Sequence, residues 1–379
     1  MKCITFLKLL LIALFIYSYG CLLYAQSDSS IKIIFLGDFN FGESYQQDSV
    51  YNRGVNIIDE YGYDYMFENI SDLLKKSNLT IANLETPLLP AHISPIYSQK
   101  PYVHFSSGSS TIKYLKKYNI NALSLANNHT LDLGYSGLGY TINELAGNID
   151  IFGAGYNEEE AGKPYMKSFV ISNDTITIAV LTGFEYRKTY DSIYQFYAGK
   201  TKYGVNIISI EKISARIKEI KDKYKNVFVI FFPHWGKNYF WKTEKQTETA
   251  RMVIDAGADL ILGTGAHMMQ EIEYYNNKWI IYGIGNSIFN APGRYKYFGR
   301  KPYSFIAELN FSRNSKQLKL YPLFTDNLES DYQVRFLDED ELNDCYSVLK
   351  NKNAGVNLFD EKVKRHHDNI TDYFEIDLK

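Results

Sequence analysis

Residues 122–134 read ALSLANNHTLDLG: a short apolar run that stops at Asn127, Asn128 and His129, followed by Asp132 and Gly134. Amides and an imidazole at the end of a buried strand are costly unless a hydrogen bond, a metal ion or an anionic substrate satisfies them. The same layout recurs along the chain. Five apolar runs lead directly into polar residues of catalytic type, in GDFN (37–40), NLE (83–85), NNH (127–129), PHWG (233–236) and GTGAH (263–267), and a sixth runs into GIGNS (283–287). In α/β sheets ligands bind beyond the carboxyl ends of the strands, so these groups are expected to converge on one crevice.

The runs are IKIIFL (31–36), LTIA (79–82), ALSLA (122–126), TITIAVL (175–181), VFVIFF (227–232), DLIL (259–262) and WIIY (279–282). Most are nearly continuous in apolar residues, as strands buried on both faces are. Their alternation with helical patterns gives an α/β class. Ile210, Ile213, Ile217, Ile220 and Tyr224 recur at helical spacing, with charges on the opposite face. A second helix is expected over 244–256, stopped by Gly257, and Ser109 is a candidate cap for the helix that carries Ile112 and Leu115. The main domain is expected over 30–312. From about Arg313 the text turns polar and charged, and 313–379 reads as an appended C-terminal extension with one or two helices.

The first 25 residues carry Lys2 and Lys8, an uncharged apolar stretch from Leu9 and the small residue Ala25, which is the layout of an export signal. Cleavage after Ala25 is the favoured reading; an uncleaved N-terminal anchor comes second and a lipoprotein site at Cys21 last. The expected location is therefore exported, periplasmic or extracytoplasmic, with membrane anchoring as the variant. Cys3 and Cys21 lie in this segment, which leaves Cys345 alone in the mature chain and excludes an intramolecular disulfide. With 379 residues, 45% of them hydrophobic and 22% charged, the chain has material for one large domain or two small ones. Loss of Lys2 and Lys8 takes the formal charge from -2 to -4. No bulk basic field results, so nucleic acid is not an expected partner. The 33 tyrosines are spread along the whole length, a composition bias first and only weakly a sugar- or polymer-binding surface.

Asp38, Glu85, Asn128, His129, His234 and His267 form an oxygen-and-imidazole set suited to Mn²⁺, Fe or Zn²⁺. Singly, each has a plainer reading: Gly37-Asp38 as a turn, Asn127-Asn128-His129 as a hydrogen-bonded strand end, His234 as a satisfied buried histidine, Glu85 as a turn cap. Asn40, two positions after Asp38, is either a weak substitute ligand through its amide oxygen or part of a satisfied turn. His92, His104, His366 and His367 have no such setting and are expected on loops or at the surface.

The order of FLGDFNFG, ANLETPL, PYVHF, SLANNHTLDLGYSGL, GAGYNEEEAGKP, FPHWGKNY and ADLILGTGAHMMQ resembles the CapA family of capsule and poly-γ-glutamate synthesis proteins, of the calcineurin-like metallophosphoesterase superfamily. The match runs from Ile31 to Phe311. The resemblance implies a four-layer α-β-β-α sandwich with a divalent metal centre at the strand ends. Asp38 and Glu85 would be metal carboxylates, with Glu85 the bridge; His267 would serve the first metal, and Asn128 and His234 a second. His129 would sit off the metals and, with Asn128 and Asp132, act on the substrate by orienting a phosphoryl oxygen or protonating a leaving group. The implied partners are an anionic cell-surface polymer or its precursor and membrane synthesis or export proteins.

Departures from the family pattern qualify this. Where the family reads close to GHHPHVLQ, this chain has GTGAHMMQ, so Thr264 and Gly265 replace two histidines and Ala266 a proline. Lys237 stands where HWG is commonly followed by Glu, and its charge would oppose a nearby cation. The expectation is one firm metal at Asp38, Glu85 and His267 and a second loose one or none. Two functions follow: a metal-dependent hydrolase of the phosphoesterase or amidase type, or a catalytically degenerate component that binds polymer or acts as a scaffold.

Overall fold

The computed structural model describes residues 30–47, 54–89, 95–96, 98–353 and 359–378. The expected signal segment and His92 lie outside the described residues. Four parallel strands, β1 (Ser30–Asn40), β2 (Leu79–Leu84), β3 (Ala122–Ser124) and β4 (Asp150–Phe152), pair in that order. A six-stranded sheet follows, made of β5 (Tyr165–Ile171), β6 (Asp174–Leu181), β7 (Val227–Phe231), β8 (Leu260–Leu262), β9 (Ile272–Tyr275) and β10 (Lys278–Ile281), in the order β9-β10-β8-β7-β6-β5. The chain then returns to the first sheet. There β11 (Asn286–Phe289) lies parallel to the end of β1, and β12 (Tyr303–Ser312) antiparallel to its start. Next come β13 (Lys316–Phe324), β14 (Arg335–Phe336), β15 (Val363–His367) and β16 (Asp372–Asp377), which bring that sheet to ten strands.

Side-chain alternation along β1 explains the layering. Ile31, Ile33 and Phe35 face the six-stranded sheet and pack in one core with Ile178, Val180 and Phe232. Phe35 and Phe232 meet edge-on with centroids 5.3 Å apart. Ile34 and Leu36 point the other way, into a core with Leu73, Leu115 and Leu138 of the covering helices. On the far side of the six-stranded sheet, Val229, Phe231 and Ile261 pack against Ile213, Ile217 and Val253. The molecule is a four-layer α-β-β-α sandwich. The helix Ile210–Lys223 buries its isoleucine stripe as the spacing predicts, and Glu244–Asp255 starts at a capping box built by Thr243 and Gln246.

Two expectations are corrected. The helix over Gly108–Lys117 is capped by Ser107, whose hydroxyl accepts from Ser110 N, because Ser107 is extended while Ser109 already lies within the helix. Residues 313–379 carry the expected helices, Glu339–Lys352 and Phe359–Lys362, but are not appended: β13 pairs with β12 from Tyr303↔Phe324 to Phe311↔Lys316, so position 312 falls inside a hairpin. The helix Glu339–Lys352 buries Leu342, Cys345 and Leu349 in the core between the sheets. Cys345 is a free, buried thiol. Among the described residues no helix is long and apolar enough to cross a membrane.

Candidate metal centre

The strand ends deliver their polar residues to one place. Asp38 is set by a close backbone approach: its N–H donates to Gly285 O at 3.0 Å, and a Cβ at Gly37 would lie 1.8 Å from that same oxygen. Only glycine at 37 lets the segment after β10 come so near. Asp38 accepts from Asn83 Nδ2 at 2.9 Å, and both its oxygens accept from Gly265 N at 3.0–3.1 Å. His267 follows β8, with Nδ1 3.4 Å from Asp38 Oδ2 and 2.9 Å from Asn286 Oδ1. His234, after β7, places Nδ1 3.5 Å from Asp38 Oδ1 and Nε2 3.9 Å from Glu85 Oε1, and it hydrogen-bonds Asn128 Oδ1.

Glu85 stands at the centre of this set, fully buried, and neither of its carboxylate oxygens has a hydrogen-bond partner. Burial drives its carboxyl well above the ordinary value, and the nearby charge of Asp38 adds to that. At Asp38 burial pushes upward too, but the hydrogen bond and charge of His234 and the charge of His267 outweigh it and hold the carboxyl low. A buried carboxylate with no donor needs a proton or a cation. One ligand atom each from Asp38, Glu85 and His267 lies within 4.8 Å of the others. Two carboxylates and an imidazole with an orphaned oxygen between them fit a divalent ion. Of the two residues assigned to a second metal, His234 adjoins Glu85, and Asn128 is joined to it through the His234 ring. Thr264 and Gly265 add no ligand: the Thr264 hydroxyl is tied to Pro233 O and His234 Nδ1.

Beside this centre lies a second buried group. His129 directs Nε2 toward Glu85 Oε1, 3.7 Å away, and Nδ1 toward Asp132 Oδ2 at 2.6 Å. Burial and the charge of Lys100 keep the His129 ring neutral, well below the usual imidazole range. Asp132 also accepts from His104 N at 2.7 Å and pairs with the ammonium of Lys100, which is 3.0 Å from His129 Nδ1. His104 lies on a loop, as the sequence suggests, but not at the surface. Its ring is buried and stacked on His129 with centroids 3.4 Å apart, its Nδ1 meets Glu85 O at 2.8 Å, and its Nε2 meets Tyr45 OH at 2.8 Å. Asn40 supports this ring and the turn: Nδ2 is 3.1 Å from His104 Nδ1, and Oδ1 accepts from Gly42 N at 2.9 Å. Its amide oxygen is thus engaged by the turn, which favours the satisfied turn over the substitute ligand.

Lys100 and His104 were missed because their partners come from distant parts of the chain. The PYVHF segment was the one signal for His104. His366 and His367 are exposed on β15, as expected. Lys237 does not confront the metal ligands: it is exposed, with its ammonium 4.0 Å from the Phe240 ring centroid. His129 and His267 line a cleft of 220 Å³ together with Tyr45, Tyr102, Tyr239 and Arg294.

Fold and site define a four-layer α/β protein with a buried carboxylate–imidazole centre opening on an aromatic cleft. The chain belongs to the family of bacterial capsule synthesis proteins designated PGA_cap, whose model matches residues 32–291. It is 31% identical over 272 residues to the "PGA biosynthesis protein CapA" of Bacillus subtilis (strain 168), covering 70% of this chain and 64% of that one. It is 28% identical over 270 residues to the "Capsule biosynthesis protein CapA" of Bacillus anthracis, covering 70% and 61%. The chain thus spans less than two thirds of the length of these curated relatives. Among solved structures, a phosphatase from Mycoplasma pneumoniae aligns over 84% of this chain and 99% of its own, with 16% identity and a TM-score of 0.39.

Proposed function

We propose that this protein is an exported, metal-dependent hydrolase that cleaves a phosphoester or amide bond in an anionic capsule-type polymer or its precursor. The supporting observation is Glu85, a buried carboxylate without a hydrogen-bond donor, beside Asp38 and His267. Those three residues would hold the ion, with Asn128 and His234 beside them. A divalent ion there supplies Lewis acidity and an acidified water. The chain's own groups do the rest. Asp132 and Lys100 fix the neutral ring of His129, whose Nε2 faces the same space, takes up the proton of the attacking water and returns it to the oxygen or nitrogen that leaves. Asn128 orients His234, and Tyr45 and His104 form the adjoining wall.

The test is elemental mass spectrometry on residues 26–379 purified without chelator, followed by phosphodiesterase and amidase screens. One ion per chain with turnover supports the reading. His267→Ala should lose metal and turnover together, whereas His129→Ala should keep metal and lose turnover. A folded chain that takes up neither Mn²⁺ nor Zn²⁺ overturns it. A second reading, a polymer-binding component without catalysis, is favoured by one observation: Gly265 N already occupies both oxygens of Asp38.

A further inference from the structure

The cleft beside His129 and His267 continues past its own wall. Asn238 also lines an adjoining hollow of 380 Å³, whose other residues include Arg187, Lys237, Phe240 and Phe298. Cations crowd this junction. Lys237 lies 4.0 Å and Arg300 5.6 Å from the centroid of the Phe240 ring, and Arg294 lies 5.1 Å from that of Phe298. Arg187 sits 5.2 Å from the Phe184 centroid and donates to Gly236 O at 2.7 Å. An aromatic face steadies a cation weakly and leaves its charge uncompensated. The hollow's carboxylate, Glu185, is engaged elsewhere, by Lys245 at 3.2 Å and by Gly236 N at 3.0 Å. Among the described residues none of the four cations is ion-paired with a carboxylate. In a chain of formal charge -2, such a local surplus marks a place for a negative ligand.

We propose that this hollow is a subsite for one anionic group of a linear polyanion, seated beside the unit that enters the metal cleft, with Arg187 and Lys237 as its charge contacts. The inference rests on the reading above that the cleft receives a polymer. It adds where the neighbouring unit lies and what holds it. Arg187 offers a planar fork to a carboxylate or phosphate and Lys237 a point charge, while Phe240 and Phe298 cover the apolar linkage between units.

The experiment measures anisotropy of labelled poly-L-glutamate, polyphosphate and neutral dextran with the full mature chain, at low and high salt. A polyanion should bind, weaken with salt and outcompete dextran. Lys237→Glu and Arg187→Gln should each weaken it about tenfold, with metal content and Tm as in wild type. Tighter poly-L-glutamate identifies a carboxylate polymer, tighter polyphosphate a phosphate one. Equal binding of dextran, no polyanion binding at low salt, or unchanged binding by Lys237→Glu overturns the proposal. Lys237 is exposed, so that variant decides even if Arg187→Gln fails to fold. A wild-type chain that binds polyanion but no metal would remove the hydrolase reading and leave the subsite standing.

Discussion

Glu85 has a measurable consequence in protein stripped of metal. Its folded carboxyl is raised far above the ordinary value of 4.5, so folding takes up a proton over the interval between the two. A raised folded pKa contributes stability that is present below the unfolded value and lost as pH rises through the folded one. Tm of the chelated protein should therefore fall as pH rises above the ordinary carboxyl range, and added metal should restore most at the alkaline end. Glu85→Gln should flatten that slope, raise Tm of the stripped protein at neutral pH and abolish the response to metal. Thermal melts with and without chelator read all three, and an unchanged slope in the variant would sink the assignment. Lys100 makes the companion case. Its ammonium is buried against Asp132 and His129, so Lys100→Met leaves a buried carboxylate without its cation and should cost about 3–5 kcal/mol. Adding Asp132→Asn should recover part of that loss, as a denaturant double-mutant cycle would register. The two residues differ in how readable they were. Glu85 closes an apolar strand, a local signal, whereas Lys100 is a lone cation before Pro101 whose meaning depends entirely on groups brought up by the fold.

At the scale of the element, the turn after β8 bears on whether a second metal could be held. Gly265 sits at φ 97°, and a Cβ there would meet Trp235 O at 2.9 Å and His234 Nε2 at 3.0 Å. The position that carries a histidine in the resembled pattern is thus shaped here for a residue without a side chain. Gly265→His should therefore not rebuild a second site. It should destabilise the fold by about 1–3 kcal/mol and leave metal content no higher than wild type, to be checked by melts and elemental analysis. A gain of one ion would mean that the turn adapts. This element also marks where sequence reading worked and where it stopped. Continuous apolar runs exposed β1, β2, β3, β6, β7, β8 and β10 because both faces are buried. Strand β5 escaped because Lys167 and Ser168, exposed on its two opposite faces, break the apolar run, and β13 because Lys319 stands between Leu318 and Leu320. Period-2 alternation across a half-covered sheet is a weaker signal than an unbroken run.

The whole molecule ties its last strands to its first. Asp38 lies near the end of β1, β1 pairs with β12, and β12 pairs with β13, so the candidate metal ligand is two strands from a segment that sequence composition sets apart. Removing 313–379 would strip β12 of its outer partner and uncover Phe305, Leu309 and Phe311, which share the inter-sheet core with Leu318, Leu320 and Phe374. An unpaired, apolar edge of that length invites aggregation. The chain 26–312 should therefore be recovered insoluble or without a cooperative melt, and should hold no metal. Circular dichroism, melting and elemental analysis of the truncated and full mature chains check this together. If 26–312 melted cooperatively and kept its metal, the central position of β1 would have to be supported by the second sheet alone, and the C-terminal strands would be an accessory. The continuous hairpin pairing between β12 and β13 argues against that outcome: backbone hydrogen bonds and shared side chains make the two strands one cooperative unit.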